Sequence, residues 1–166
     1  FLGLYTAVVL AGLEERVGEP LARRFYLLAG TSIGGLMALA LAFEVPMARV
    51  VNLFVRQGSA VFSSRNLPRG ALSRLVDLSR SVMGPKYSGQ ALREALHAEL
   101  GDSCLDDALH RVIVPAVDVG RCQSKAFKMP HARASEGDGD CSAVAVAMAS
   151  CAAPACSRSC GPTQSP

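Results

Sequence analysis

Ser32 is the residue of this chain whose surroundings best suit nucleophilic chemistry. It lies in the run Gly30-Thr31-Ser32-Ile33-Gly34, where a glycine stands two positions away on either side. The Gly-x-Ser-x-Gly pattern is typical of a nucleophile elbow, a sharp turn between a strand and a helix that exposes the serine hydroxyl. We expect a Cβ at either flanking glycine to collide with the neighbouring strand or helix. The run therefore predicts a serine nucleophile for acyl transfer.

Two apolar runs would position this turn. Phe25–Ala29 predicts a strand buried in a parallel sheet. Leu36–Ala42 predicts a helix that begins just after the serine. The N-terminus of such a helix points at Ser32, so the backbone amide of Ile33 and the positive end of the helix dipole can stabilise an oxyanion.

The same stretch allows two other interpretations. No charged side chain occurs from Phe25 to Phe43, which is nearly the length of a transmembrane helix. A buried turn without any chemistry would use the same glycines. The glycines, the threonine and the serine in the first half argue against a membrane span, and the order strand, turn, helix favours the elbow.

The composition predicts one folded domain. The 166 residues are 50% hydrophobic and 19% charged, which excludes disorder for most of the chain. A net charge of +3 does not call for a nucleic-acid polymer as partner. The sequence opens on Phe1, so we expect a processed chain or a fragment, and no basic segment precedes the uncharged residues 1–13 as a signal peptide requires.

The cysteines do not form a framework for the domain. Four of the six lie in the last 26 residues, and their spacing matches no standard zinc module. We therefore expect mostly free thiols in a reducing compartment, which indicates a cytoplasmic protein.

The remaining elements alternate helices and strands, which predicts an α/β fold. We expect helices over Gly3–Arg16, Ala48–Gln57, Gly89–Leu100 and Val144–Ser150, and strands over Arg111–Val117 and Ser124–Met129. The first helix is apolar on nearly all sides, so it is predicted to be mostly buried. Gly18 and Gly101 stand where left-handed C-caps occur. Pro115 predicts that its strand lies at a sheet edge or ends there.

Two of these helices carry finer predictions. In the Ala48–Gln57 helix a buried stripe is expected, with Gly58 ending the helix; the stripe comprises Val50, Val51, Phe54 and Val55. Ser88 is expected to be the N-cap of the Gly89–Leu100 helix.

The segment 56–93 is strongly basic. It holds seven Lys or Arg residues and one acidic residue, Asp77. An apolar stripe, comprising Leu72, Leu75, Val76, Val82 and Met83, runs beside these charges. Such a segment can lie on an anionic membrane surface, and it can equally be a solvated helical cap over the core.

Several pieces, in this order, resemble the patatin-like phospholipases, in particular a bacterial member. They are a helix from Leu4 that ends in Leu-Glu-Glu (13–15), Phe-Tyr-Leu-Leu-Ala-Gly-Thr-Ser-Ile-Gly-Gly (25–35), Val-Pro-Ala-Val-Asp (114–118), Ala-Phe-Lys (126–128) and Ala-Ser-Cys-Ala-Ala-Pro (149–154). The resemblance covers residues 1–155. The run Phe-Lys-Met-Pro-His (127–131) is similar to bacterial members that cyclic nucleotides activate in antiphage defence.

The resemblance implies a three-layer α/β/α fold with a mainly parallel central sheet. It implies hydrolysis of acyl esters, typically of phospholipids, by a Ser-Asp dyad without metal or cofactor. Ser32 corresponds to the nucleophile. The backbone groups of Gly3 and Ile33 correspond to the oxyanion site, since Gly3 stands where the family has a glycine-rich loop. The expected location, from the cysteines, is the cytoplasm, and the charges of segment 56–93 allow peripheral contact with a membrane.

The chain also departs from the family pattern. The family's dyad Asp lies in an Asp-Gly-Gly or Asp-Gly-Ala turn after the Ala-Ala-Pro segment, and nothing here corresponds to it. Asp138-Gly139 has the right dipeptide but precedes that segment. Residues 156–166 form a Cys- and Ser-rich tail that is expected to be disordered. We therefore expect a partial domain, with its C-terminal part missing, and little lipase activity.

Two other functions stay open at this point. The order Ser32, Asp118, His131 fits a Ser-Asp-His hydrolase. Alternatively the chain is a non-catalytic lipid- or membrane-binding module that uses segment 56–93.

Overall fold

A computed structural model describes residues 2–61, 87–118, 121, 123–129 and 138–151 of the chain. The helices are α1 (Leu2–Val17), α2 (Ile33–Ala42), α3 (Met47–Val61), α4 (Tyr87–Leu100) and α5 (Ala143–Cys151). The strands are β1 (Leu28–Ala29), β2 (Val112–Asp118) and β3 (Gln123–Lys128), and two short 3₁₀ helices span Leu21–Arg24 and Leu105–Asp107. This alternation of helices and strands confirms the predicted α/β class.

The three described strands form one sheet in the order β1-β2-β3. β1 runs parallel to β2, with Leu28 opposite Val112 and Ala29 opposite Ile113. β2 and β3 are antiparallel, and their register runs from the pair Ile113–Lys128 to the pair Asp118–Gln123. Within these strands the parallel pairing is therefore limited to the two residues that lead to the elbow, and the longer ladder is a hairpin, which needs only a short connection.

Pro115 lies in the middle of the central strand, so the prediction of an edge or a strand end is wrong. The carbonyl groups of Arg111 and Ile113 accept hydrogen bonds from the β1 side. Because alternate residues of a strand face the same neighbour, Pro115 also faces that side. β1 ends opposite Ile113. Pro115 therefore lies beyond the last paired residue of β1, and its missing N–H interrupts no pair between the two named strands.

The core is built around α2, which lies against β2 and α5. All α2 residues from Gly35 to Ala42 are buried. Leu39, Val112, Val114 and Val146 are at most 1% exposed. Burying this many apolar side chains is the main source of stability for the elements that carry the elbow. In the part of the chain that the structure describes, no helix combines the length and the apolar character that crossing a bilayer requires.

α1 is less buried than predicted. Ala7 is the only residue of this helix that is fully buried, whereas Leu2, Tyr5, Val9 and Leu13 are between 42% and 84% exposed. α1 packs mainly against α3, with smaller contacts to α2 and to the 3₁₀ helix Leu21–Arg24. An apolar pattern all round a helix does not indicate which faces a neighbour covers, so the prediction failed for the opposite face.

The strand before the elbow is also shorter than predicted. Phe25, Tyr26 and Leu27 lie outside β1 and are 54%, 81% and 42% exposed. β1 has a partner only where Leu28 and Ala29 lie beside β2. The apolar run predicted five strand residues, but hydrogen-bonded pairing is available for two.

Helix ends agree with the sequence where a local backbone motif sets them. Gly18 and Gly101 have positive φ angles of 73° and 59°. Their N–H groups donate to carbonyl groups four residues earlier, at 2.8 Å in both cases, which confirms both C-caps. The predictions at Gly58 and Ser88 are wrong, because α3 continues to Val61 and α4 begins at Tyr87.

Of the predicted buried stripe of α3, Val50 and Phe54 are buried, at 2% and 6% exposure. Val51 is partly buried and packs against the core. Val55 is 62% exposed, so its prediction is wrong. Val55 follows Phe54 by one residue and is turned about 100° away from it around the helix.

Two carboxylates fix the elements next to α2. Glu14 of α1 accepts the N–H of Met47, the first residue of α3, at 2.8 Å, and so satisfies a free donor at that helix end. Glu44, in the turn after α2, accepts hydrogen bonds from Arg23 at 2.8 and 3.0 Å and pairs with His110 at 2.9 Å. The hydrogen bonds from Arg23 and His110 lower the pKa of Glu44 to about 2.

Several predictions lie outside the described residues. They concern most of the basic segment 56–93, His131, the Ala-Ala-Pro residues 152–154 and the tail 156–166.

Candidate active site

The turn at Ser32 has the strained backbone that an elbow requires. Ser32 has φ 53° and ψ −126° and is the N-cap residue of α2. Non-glycine residues rarely adopt positive φ, and holding one there costs about 1–3 kcal/mol. β1 ends three residues earlier, at Ala29, and α2 begins one residue later. The predicted order of strand, sharp turn and helix is therefore present.

The glycines around Ser32 differ in the space they have. A Cβ on Gly30 would overlap the carbonyl group of Gly34 and would lie 2.8 Å from the backbone nitrogen of Gly35. A Cβ on Gly34 would meet nothing within 4 Å, so the prediction of a collision at both flanks is wrong for Gly34. The second close approach occurs at Gly35, where a Cβ would lie 3.0 Å from the carbonyl oxygen of Gly30 and 3.1 Å from the hydroxyl oxygen of Ser150.

The backbone amides of the turn have different partners. The N–H of Ser32 donates to the hydroxyl of Ser150 at 2.9 Å, and the N–H of Gly34 donates to the carbonyl of Thr31 at 2.9 Å. Ile33 is the first residue of α2, and the geometry of a helix gives its N–H no acceptor within the helix. The helix itself therefore does not use this amide.

Gly3, the other predicted oxyanion residue, lies beside Ile33. A Cβ on Gly3 would overlap the Cγ2 atom of Ile33. The first turn of α1 therefore packs against the Ile33 side chain at the start of α2. The structure thus brings Gly3 close to the side chain of Ile33, although the two residues are 30 positions apart in the sequence.

The hydroxyl of Ser32 contacts the thiol of Cys151, the last residue of α5. Cys151 is 4% exposed. Burial raises the pKa of this thiol to about 11, and its hydrogen bond with Ser32 acts in the opposite direction. The thiol is therefore protonated at neutral pH and cannot take a proton from the serine. The described cysteines, Cys104, Cys141 and Cys151, are free thiols.

Sequence reasoning did not identify Ser150 or Cys151 as site residues. The Ser150 hydroxyl accepts the N–H of Ser32 and donates to the carbonyl of Pro115 at 2.8 Å. The available signal was their position in the Ala-Ser-Cys-Ala-Ala-Pro piece that resembles the family. The C-terminal end of α5 thus delivers two side chains to the elbow.

The acidic residues considered as bases lie in other surroundings. Asp118 ends β2 and accepts the N–H of Arg121 at 3.1 Å. Asp138 pairs with Lys125 at 2.8 Å, and this hydrogen bond raises the pKa of Lys125. Across the described ranges, no group of three or more His, Cys, Asp or Glu side chains is arranged to hold a metal ion.

Comparison with known proteins gives a consistent result. The family described as patatin-like phospholipase matches residues 1–158. The chain is 40% identical over 154 residues to the cGAMP-activated phospholipase of Pseudomonas aeruginosa, which covers 93% of this chain and 44% of the relative. It is 30% identical over 162 residues to the cGAMP-activated phospholipase of Vibrio cholerae, covering 92% of this chain and 45% of the relative.

A plant relative is similar over a shorter stretch. Patatin-like protein 2 of Arabidopsis thaliana is 33% identical over 138 residues, which is 75% of this chain and 33% of that protein. The chain thus spans less than half the length of these curated relatives. The family match extends over nearly the whole sequence, so this chain belongs to the patatin-like phospholipase family.

Proposed function

We propose that this chain carries the nucleophilic part of a lipid acyl hydrolase, with Ser32 as the nucleophile. The observation that carries the proposal is the strained serine at the N-terminus of α2, in a chain of this family. The Ser32 oxygen bonds to the acyl carbon, the bond from that carbon to the ester oxygen breaks, and the serine proton passes to the departing alcohol. Water then releases the acid from the acyl-enzyme.

The negative charge that develops on the carbonyl oxygen is stabilised at the two helix ends. The Ile33 amide lies at the N-terminus of α2, and Gly3 lies in the first turn of α1 against the side chain of Ile33. N–H groups and the positive ends of two helix dipoles that are fixed before the substrate arrives are an effective arrangement for an oxyanion. Ser32 cannot supply its own N–H for this purpose, because Ser150 accepts it.

Among the residues that the structure describes, we assign no general base. The Ser32 hydroxyl contacts a thiol whose pKa is raised to about 11, and Asp138 is engaged with Lys125. A positioned base contributes about 10²–10⁴-fold to such a reaction. We therefore expect slow, Ser32-dependent hydrolysis by this polypeptide.

The proposed substrates are acyl esters of phospholipids. The support is the family and the names of the two bacterial relatives, which are phospholipases. Phospholipid vesicles provide the test, with release of fatty acid followed by mass spectrometry. The wild-type chain is compared with Ser32→Ala and with Ser124→Ala, which removes an exposed hydroxyl from β3.

Fatty acid release that is lost in Ser32→Ala and kept in Ser124→Ala supports the proposal. Equal release by the wild type and by Ser32→Ala contradicts it. Release that depends on Ser32 but is as fast as in an efficient enzyme would support Ser32 as the nucleophile. It would contradict the expectation of a slow reaction without a general base.

A cyclic nucleotide is a second element of the proposal. Two bacterial relatives, 40% and 30% identical, are named as cGAMP-activated. We propose that cGAMP increases the rate at which this protein hydrolyses vesicles. A rate that does not change over a wide range of cGAMP concentrations would contradict this regulation and would leave the hydrolase proposal unaffected.

A further inference from the structure

The series of hydrogen bonds between the parallel strands β1 and β2, if continued by one step, reaches Ser32. The N–H of Leu28 donates to the carbonyl of Arg111 at 2.9 Å, and the N–H of Gly30 donates to the carbonyl of Ile113 at 3.3 Å. A parallel ladder advances by two residues on both strands at each step. The next donor in this series is the N–H of Ser32.

The next acceptor in the series is the carbonyl of Pro115, and the two groups are joined through Ser150. The Ser150 hydroxyl accepts the Ser32 N–H at 2.9 Å and donates to the Pro115 carbonyl at 2.8 Å. The side chain thus occupies the next step of the ladder at the point where the chain leaves the sheet. Pro115 has no N–H, so this residue takes part in the series through its carbonyl only.

The surrounding space is limited. A Cβ on Gly35 would lie 3.1 Å from the Ser150 hydroxyl oxygen and 3.0 Å from Val114. Ser150 therefore fits between α2 and β2 because residue 35 has no side chain. Three elements, β2, α2 and α5, meet at this one hydroxyl.

We propose that Ser150 is a positioning residue for the nucleophile, through its two hydrogen bonds to the backbone of Ser32 and of Pro115. The bridge holds Ser32 in its positive-φ conformation. It also occupies the Ser32 amide, so that of these two adjacent amides the one presented to the oxyanion is that of Ile33. This inference rests on the proposed role of Ser32.

The prediction is a loss of Ser32 reactivity without a loss of the fold. In Ser150→Ala, one donor and one acceptor lose their partner and the strained turn is free to relax, so we expect Ser32 to react about 10- to 100-fold more slowly. Ser150→Thr keeps the hydroxyl and is expected to retain most of the wild-type rate.

The experiment measures the rate at which an alkyl fluorophosphonate modifies Ser32, by mass spectrometry of the peptide that contains it. Reaction forms a bond from the serine oxygen to phosphorus and releases fluoride and a proton. Ser142→Ala is the matched control, because its hydroxyl also accepts a backbone N–H on α5, that of Ala145 at 3.5 Å, but at the other end of the helix. Urea unfolding of each variant gives the folded fraction used to correct the rates.

A slow reaction in Ser150→Ala, with near wild-type rates in Ser150→Thr and Ser142→Ala, supports the inference. A wild-type rate in folded Ser150→Ala overturns it and leaves the role of Ser32 intact. If the wild-type chain is not modified at Ser32, the proposed function fails and this inference fails with it. If Ser150→Ala does not fold, the modification rates of Ser150→Thr and Ser150→Cys are compared with the wild-type rate instead, because a cysteine keeps the size of the side chain but weakens its hydrogen bonds. A slower reaction in Ser150→Cys than in Ser150→Thr then supports the inference, and wild-type rates in both overturn it.

Discussion

The two glycines that flank Ser32 should differ sharply when each is replaced by alanine. Neither Gly30 nor Gly34 is among the described residues with positive φ. The effect of a side chain at either position therefore depends on the space around it, not on the backbone conformation. A Cβ on Gly30 would overlap the carbonyl group of Gly34 and approach the nitrogen of Gly35 to 2.8 Å. These are backbone atoms at the start of α2, which cannot rotate away as a side chain would.

The two substitutions are expected to change the free energy of unfolding in opposite directions. Overpacking of this kind costs about 1–3 kcal/mol, and Gly30→Ala should lie at the upper end because the backbone itself must move. Gly34 is the second residue of α2 and its Cβ would have open space. There alanine should stabilise by up to about 1 kcal/mol, since glycine is a poorer helix former. The two variants should thus differ by about 2–4 kcal/mol.

Urea unfolding followed by circular dichroism measures this difference. For m-values of about 1–3 kcal/mol/M, the midpoints should differ by about 1 M or more, with Gly34→Ala at or above the wild type. Similar midpoints for the two variants, or a lower midpoint for Gly34→Ala, would refute the steric reasoning. Either result would mean that the turn has a different shape from the one described.

Two further predictions concern carboxylates outside the elbow. Hydrogen bonds lower the pKa of Glu44 to about 2. Its contribution to stability should therefore be complete above its ordinary pKa near 4.5 and be lost as the pH falls towards 2. In urea unfolding at different pH values, Glu44→Gln should weaken this loss of stability in acid. Glu14→Ala removes the acceptor for the N–H of Met47 and should destabilise by about 1–2 kcal/mol, whereas Glu15→Ala, at a neighbouring exposed position, should change stability by less than about 0.5 kcal/mol.

Features set by a few adjacent residues could be predicted from the sequence. The elbow pattern places a strained turn between β1 and α2, and Gly18 and Gly101 end their helices where the pattern indicates. Each of these depends on local backbone geometry, which neighbouring residues determine. The family resemblance likewise rested on short pieces whose residues and order are visible directly.

Features that depend on distant contacts could not be predicted. Ser150 reaches Ser32 across 118 residues of sequence, and no spacing rule connects them. Pro115 was expected at an edge because the sequence does not reveal that β1 ends opposite Ile113. The exposed face of α1 was missed for the same reason. Hydropathy indicates that a helix can be buried, but the neighbouring elements determine which of its faces is covered.

Direct identification of the modified residue tests the central claim, that Ser32 is the nucleophile. The wild-type chain is incubated with an alkyl fluorophosphonate, digested, and searched for the phosphonylated residue by tandem mass spectrometry, beside Ser32→Ala and the control Ser124→Ala. We predict a single modification on Ser32 that is absent in Ser32→Ala and present in Ser124→Ala. Modification of a different serine, equal modification of Ser32→Ala, or no modification at all would contradict the account.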